Sequence, residues 1–294
     1  MAIYTTFNIV GFAEDISDVI SNISPTKTPF ISSIGDDNIH ARLFQWQEDS
    51  LRATQVNAVI EGADAVDQTL SPTVMRNNNT QILEKTIKVS KTSDAIKEHG
   101  RAKETAYQIA KAAEEIKRDL EVAMIGINQA AVAGDGVATA AKFTSAIPQI
   151  SAATTTAGGA ASLTEAKVLA NHQAVYTAGG DPEIFMIKPA DSIIVAGFNA
   201  ATGRYSTTPN EQKITNAVKV YVSPFGELKV VLNRFQLTSV AFTYAPDMWK
   251  RAVLRPWTRT ALAQVGDAEK HQLIGEFSLK HMNQSASGLI NALT

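Results

Sequence analysis

Residues 93–131 read SDAIKEHGRAKETAYQIAKAAEEIKRDLEVAMIGINQAA. Ile109, Ala113, Ile116, Leu120, Met124 and Ile127 recur at steps of three or four, the spacing of one face of an α-helix. Glu114 stands four residues before Arg118, a pairing that supports an exposed helical face. The pattern predicts one long helix, capped by Ser93 and ended by Gly134, with Gly100 costing about 1 kcal/mol relative to Ala in its first turns. At 1.5 Å per residue it would run about 55–60 Å. That exceeds the width of an ordinary compact domain, so the helix reads as the backbone of a flat, elongated subunit.

Upstream of the helix, residues 81–90 and 39–48 alternate apolar and polar positions as strands do. Between them, residues 49–80 are polar, broken by Gly62 and Pro72, and keep no period. An ordered loop of this length is uncommon inside a compact domain, so a long two-stranded projection is expected. The first forty residues hold a short amphipathic piece at 13–23, then Pro25, Pro29 and Gly35. They read as an arm outside the core.

Downstream, residues 134–161 are mostly small and are expected to form surface strand or loop with little core. A mixed segment follows, with helices at 164–177 and 191–198 and a buried strand at 183–187. Residues 217–232 read as a hairpin turning at Ser223, Pro224, Phe225 and Gly226. Further strands are expected at 239–244, 249–254 and 275–280. The fold class is therefore α+β.

Composition narrows the function. The 294 residues are 45% apolar and carry 27 Lys and Arg against 29 Asp and Glu, for a net charge of −2. There is no basic stripe for sequence-directed nucleic-acid binding. The absence of Cys removes disulfides, thiolate nucleophiles and Cys-ligated metals. Residues 1–10 lack the pattern of a secretory signal, and no apolar run approaches a membrane span. A soluble protein without a membrane partner is expected.

The search for chemistry gives no catalytic, cofactor-binding or metal residue. His40, His99, His172, His271 and His281 show no H-x-x-x-H or H-E-x-x-H spacing, and each reads as a surface or hydrogen-bonded histidine. Gly134-Asp135-Gly136 opens a G-x-G-x-x-G pattern but places Thr139 in the third slot, so it reads as a helix terminator. Ser24-Pro25-Thr26-Lys27 matches S-x-x-K with no companion motif. Glu114-Glu115 reads as part of a solvated helix face. Asn78-Asn79-Thr80 and Asn283-Gln284-Ser285 match the glycosylation pattern. Trp46, Trp249 and Trp257 read as packing residues.

Three segments together resemble the major capsid proteins of tailed bacteriophages. They are EDISDVISNISPTKTPFISSIG at 14–35, the helix pieces AYQ at 106–108 and EIKRDLE at 115–121, and the terminal set WKRAVLRP at 249–256, LAQVGD at 262–267, GEFSL at 275–279 and the tail 283–290. The resemblance implies the tailed-phage capsid fold of the Hong Kong ninety-seven type. It divides the chain into an N-terminal arm at 1–38, an extended loop at 39–92, a peripheral domain with the spine helix at 93–160, an axial domain at 161–256 and a return to the peripheral domain at 257–294.

The function implied is a structural subunit of an icosahedral virion shell around packaged double-stranded DNA, made in the cytoplasm of a bacterial host. Its implied partners are copies of itself in hexamers and pentamers, a portal, scaffolding or decoration proteins, and DNA touched nonspecifically. Two other readings compete: the shell of a bacterial nanocompartment with the same fold, and an enzyme whose site is assembled from scattered residues.

Overall fold

The computed structural model describes residues 24–67, 70–96, 103–201, 220–264 and 266–294. The amphipathic piece at 13–23, Gly100 and His99 lie outside them. Elements follow in the order α1 (Pro29–Ser33), β1 (Gly35–Asn38), β2 (Leu43–Glu48), β3 (Val74–Asn79), β4 (Gln81–Ser90), α2 (Lys91–Ala95) and α3 (Glu104–Glu121). After these come β5 (Thr155–Ala161), α4 (Glu165–Thr177), β6 (Ile184–Ile187), α5 (Asp191–Ala201), β7 (Val220–Ser223), β8 (Gly226–Leu232), β9 (Ala241–Tyr244), β10 (Trp249–Leu262), β11 (Ala268–His281) and β12 (Gly288–Leu293).

The strands form a four-stranded sheet in the order β1-β10-β11-β4, a six-stranded sheet in the order β5-β12-β9-β6-β8-β7, and the two-stranded ribbon β2-β3. β4 alternates half-buried and exposed residues along its length, because one face covers α3 and the other meets solvent. β6 is buried at all four positions, as befits a central strand covered on both faces. β10 crosses Pro256 only by shifting register between Val253 and Arg255 and again before Thr258, since proline cannot donate to the ladder.

The expected single helix over 93–131 is not continuous. Ser90, not Ser93, caps α2 by accepting from Thr92 N–H, and the chain turns to extended geometry at Ile96. α3 ends in a π turn, Val122–Gly126, and Ile127 is extended. Gly126 sits where a Cβ would lie 2.4 Å from the Phe235 carbonyl, so a glycine lets the two segments approach. Gly134 lies well past this end. The buried stripe is Ala112, Ile116, Leu120, Ala123 and Met124, whereas Ala113 and Ile127 are exposed. Glu115 ties α3 to β4 through Lys85 at 3.0 Å.

Other expectations are corrected by the core. Phe30, Ile31 and Ile34 of the supposed arm are buried, and so are Phe143, Ala146 and Ile150 of the small-residue stretch. Phe30 packs against Phe242, Tyr244 and Trp249 at centroid distances of 5.9, 5.5 and 5.9 Å. This core joins α1, the end of α3 and both large sheets through Leu120, Met124, Met186 and Phe277. A second core lies between α4, α5 and the six-stranded sheet, around Val168, Phe185, Ile187, Val195 and Leu228.

Ile116→Asp should cost about 3–5 kcal/mol, because an unpaired charge would replace a side chain buried in the α3 stripe. Lys117→Asp, on the exposed side of the same turn, should change subunit melting by less than about 1 kcal/mol. Equal tolerance of the two in expression and melting would contradict this placement of the helix.

Candidate assembly surfaces

The β2-β3 ribbon is fixed at its base. Asn78 is fully buried; its Nδ2 donates to the Leu279 carbonyl at 2.7 Å and its Oδ1 accepts from Thr144 N–H at 2.7 Å. Thr80 donates its hydroxyl to Glu276 at 2.6 Å, and Ser278 donates to the Asn79 carbonyl at 2.6 Å. Arg76 and Glu48 pair across the ribbon at 2.7 Å. These bonds join the ribbon to β11 and to the segment at 143–149.

Beyond Glu48 and Val74 the pairing stops, so the expected long two-stranded projection is only six residues deep. The described residues of 49–73 form one turn, closed by Ala63 N–H donating to the Ile60 carbonyl around Gly62 at φ +79. Along this loop Leu51, Val56, Val59, Ile60, Val66 and Leu70 are 73–98% exposed. A run of large apolar side chains with so little cover from its own subunit is the mark of an interaction surface.

A second surface forms where α1 meets α3. Glu121 is completely buried. Its Oε1 accepts from Phe30 N–H at 2.8 Å and from Asn233 Nδ2 at 2.7 Å, and its Oε2 accepts from Ile31 N–H at 2.9 Å. Burial pushes the carboxyl above the usual carboxylate range, against the pull of these three donors. The junction ties α1, α3 and the residue after β8 into one unit. Outside it opens a groove of about 800 Å³, walled by residues 24–29 on one side and by Lys117, Pro189, Leu232 and Arg234 on the other.

The residues singled out for chemistry go elsewhere. His40 is exposed, His271 lies 3.7 Å from Glu269, and His172 is buried with its Nδ1 2.8 Å from Ser223 Oγ. No group of three His, Asp or Glu able to hold a metal occurs among the described residues. Asp135 of the Gly-Asp-Gly stretch accepts from Val137, Ala138 and Thr139 N–H, which holds its carboxyl well below the usual range. It closes its own turn. Asn78 of the first glycosylation pattern is buried, and Ser24 and Lys27 of S-x-x-K line the groove.

His281 is a packing residue with a pH consequence. Its ring stacks on Trp249 at 3.9 Å. Nδ1 donates to the Gln149 carbonyl at 3.1 Å and Nε2 accepts from the Ser287 hydroxyl at 3.1 Å, which itself accepts from Trp249 Nε1 at 2.9 Å. Burial pushes its pKa down to about 4. The folded state therefore holds fewer protons than the unfolded state between about pH 4 and 6.5, and this contribution is present above 6.5 and lost on acidification. Between wild type and His281→Phe, the stability gap should shrink by about 3 kcal/mol from pH 7 to pH 4. A gap that does not change with pH would contradict the buried neutral imidazole.

Sequence reasoning missed Glu121, yet it left a trace: it is the one charge inside the otherwise apolar run LEVAMI at 120–125. The groove left none, because its walls come from four distant parts of the chain.

The family model for the SU10 major capsid protein matches residues 2–294. The major capsid protein of Escherichia phage Phieco32 is 30% identical, with 98% of this chain and 96% of that protein covered. Among solved structures, the capsid of cyanophage A-1(L) superposes with a TM-score of 0.70 at 13% identity, covering 99% of this chain and 98% of that one. An encapsulin from Synechococcus elongatus gives 0.63 at 7% identity, with 96% and 92% covered. The fold is the mixed α and β capsid fold of the Hong Kong ninety-seven type. Buried ribbon base, exposed apolar loop and full-length match agree, and the chain belongs to the SU10 family of phage major capsid proteins.

Proposed function

We propose that copies of this chain close, as hexamers and pentamers, into the icosahedral shell of a virion around packaged double-stranded DNA, after synthesis in the bacterial cytoplasm. The loop at 49–73 carries this reading. It projects large apolar side chains that its own subunit does not cover, so their burial has to come from neighbours, and many modest contacts then add up in a closed shell. The near-neutral charge suits close packing of identical copies and a loose contact with DNA. A portal and scaffolding or decoration proteins complete the set of partners in this reading, and the subunit performs no catalysis.

Within the subunit we assign the arm to 1–38, with its end from Phe30 to Ile34 built into the core, the extended loop to 39–92, the peripheral part to 93–160, the axial part to 161–256 and the returning segment to 257–294. The pairing of β11 with β4 supports a segment that returns to the peripheral part, whereas its last strand, β12, is fastened between β5 and β9 of the six-stranded sheet. Electron microscopy and sedimentation of the purified chain test the proposal. Closed shells, tubes or capsomer rings are expected; a uniform monomer or dimer with substrate turnover would overturn it. Particles isolated from the native source should contain DNA, whereas a protein cargo would favour the nanocompartment reading.

A further inference from the structure

We propose that His172 is a proton-operated latch: its neutral imidazole holds the tip of the β7-β8 hairpin on α4, and protonation releases the tip. The latch is built within one subunit and does not depend on assembly. His172 is completely buried on α4, and its ring meets Phe225, between β7 and β8, edge to face at 5.8 Å. Phe225 also packs on Tyr176, one helical turn along, at 5.7 Å. Ser223 Oγ, 2.8 Å from His172 Nδ1, accepts from Phe225 N–H at 3.1 Å and donates to the Gly226 carbonyl at 3.0 Å. With the serine proton spent on that carbonyl, Nδ1 carries the imidazole proton and donates it to Oγ.

Nε2 is then a bare acceptor, and no partner for it occurs among the described residues. A proton added there makes a charged donor in a dry site, which is costly until water or a carboxylate reaches it. The opposite charge acting on the ring is Asp181, across Gly226: a Cβ at that glycine would lie 3.8 Å from Asp181 Oδ1 and 3.9 Å from Nε2. Of the other charged side chains on the elements packed here, Glu165 accepts from the Tyr221 hydroxyl at 3.0 Å, Lys167 donates to the Ser162 carbonyl at 2.7 Å, and Glu183, Glu227 and Lys229 are exposed. Burial lowers the imidazole pKa, and Asp181 raises it in part. The latched state therefore takes up its proton less readily than the released state. Its hold is complete above the ordinary histidine value of about 6.5 and is lost as the pH falls below it. Little else restrains the tip. β7 is a four-residue edge strand, paired among the described residues with β8 alone; Tyr221 enters the core, whereas Val220 and Val222 are exposed. Segments with so few contacts open at low cost.

Amide exchange of residues 220–228 in the purified chain, corrected for the intrinsic effect of pH, should quicken about tenfold between pH 7 and pH 5, while β6 changes little. His172→Gln, whose amide still donates to Ser223 but takes up no proton, should remove that pH dependence. Histidine-selective NMR supplies a readout that needs no core substitution. His172 should titrate at lower pH than the exposed His40, and Asp181→Asn, a change at an exposed side chain, should lower its midpoint further; this comparison decides the matter should the glutamine variant not fold. Exchange that ignores pH in the wild type, equal quickening in the glutamine variant, or a His172 midpoint unmoved by Asp181→Asn would each overturn the latch.

Discussion

Glu121→Ala is expected to destabilise the subunit by about 3–5 kcal/mol, the largest loss of any single polar substitution considered for this chain. Complete burial leaves the anion less well solvated here than in water and pushes the carboxyl pKa up. Removing it is costly all the same, because Phe30 N–H, Ile31 N–H and the Asn233 amide would be left buried with no acceptor. The damage would spread along the chain. α1 is held by these bonds, and Phe30, with none of its surface exposed, fills the space between Phe242, Tyr244 and Trp249.

Glu121→Gln should fall between, at about 1–3 kcal/mol, since one oxygen remains to accept while the new amide faces a second donor. Urea unfolding of the unassembled subunits measures both. An alanine variant as stable as wild type would mean that α1 does not depend on this junction.

Replacing residues 49–73 by Asn-Gly is expected to abolish closed shells while sparing the fold. The stretch without a period in the sequence runs over 49–80, and the structure narrows the dispensable part: Val74–Asn79 is β3, with Asn78 locked into the base. Glu48 and Val74 stand opposite each other in the ribbon register, so a two-residue turn closes the pair in the twist that hairpins favour. Loop-closure entropy changes slowly with length, and the deleted apolar side chains cover nothing in their own subunit. Melting should therefore stay within about 3 °C of the unassembled wild-type subunit. Sedimentation and microscopy of the same preparations should show no closed particles. Normal shells, or an unfolded subunit, would each contradict the assignment of this loop to assembly.

Elements ruled by a local period were legible in the sequence. The strand expected at 81–90 is β4 residue for residue, because alternation along it reflects one covered face. α4 was legible from Thr164, whose hydroxyl accepts from Lys167 N–H at its start. Elements ruled by distant contacts were not. β1, with the sequence GDDN, has no apolar pattern at all and is held against β10 and β11 by Arg251 on Asp36 and Lys280 on Asp37. The long helix was overextended because nothing in 93–96 announces the turn at Ile96, and the π turn at its end answers to the Phe235 carbonyl across the fold. Of the two assembly surfaces, the loop was visible as a stretch without period. The groove was not, since Lys27, Lys117, Pro189 and Arg234 meet only after folding.

Hydrogen exchange of residues 49–73, measured in shells and in dissociated subunits, tests most directly the claim that this loop gains its burial from neighbours. In free subunits its amides, with so few internal partners, should exchange near the rate of an open chain, and assembly should slow them by about a hundredfold or more. Equal and rapid exchange in both states would contradict the account.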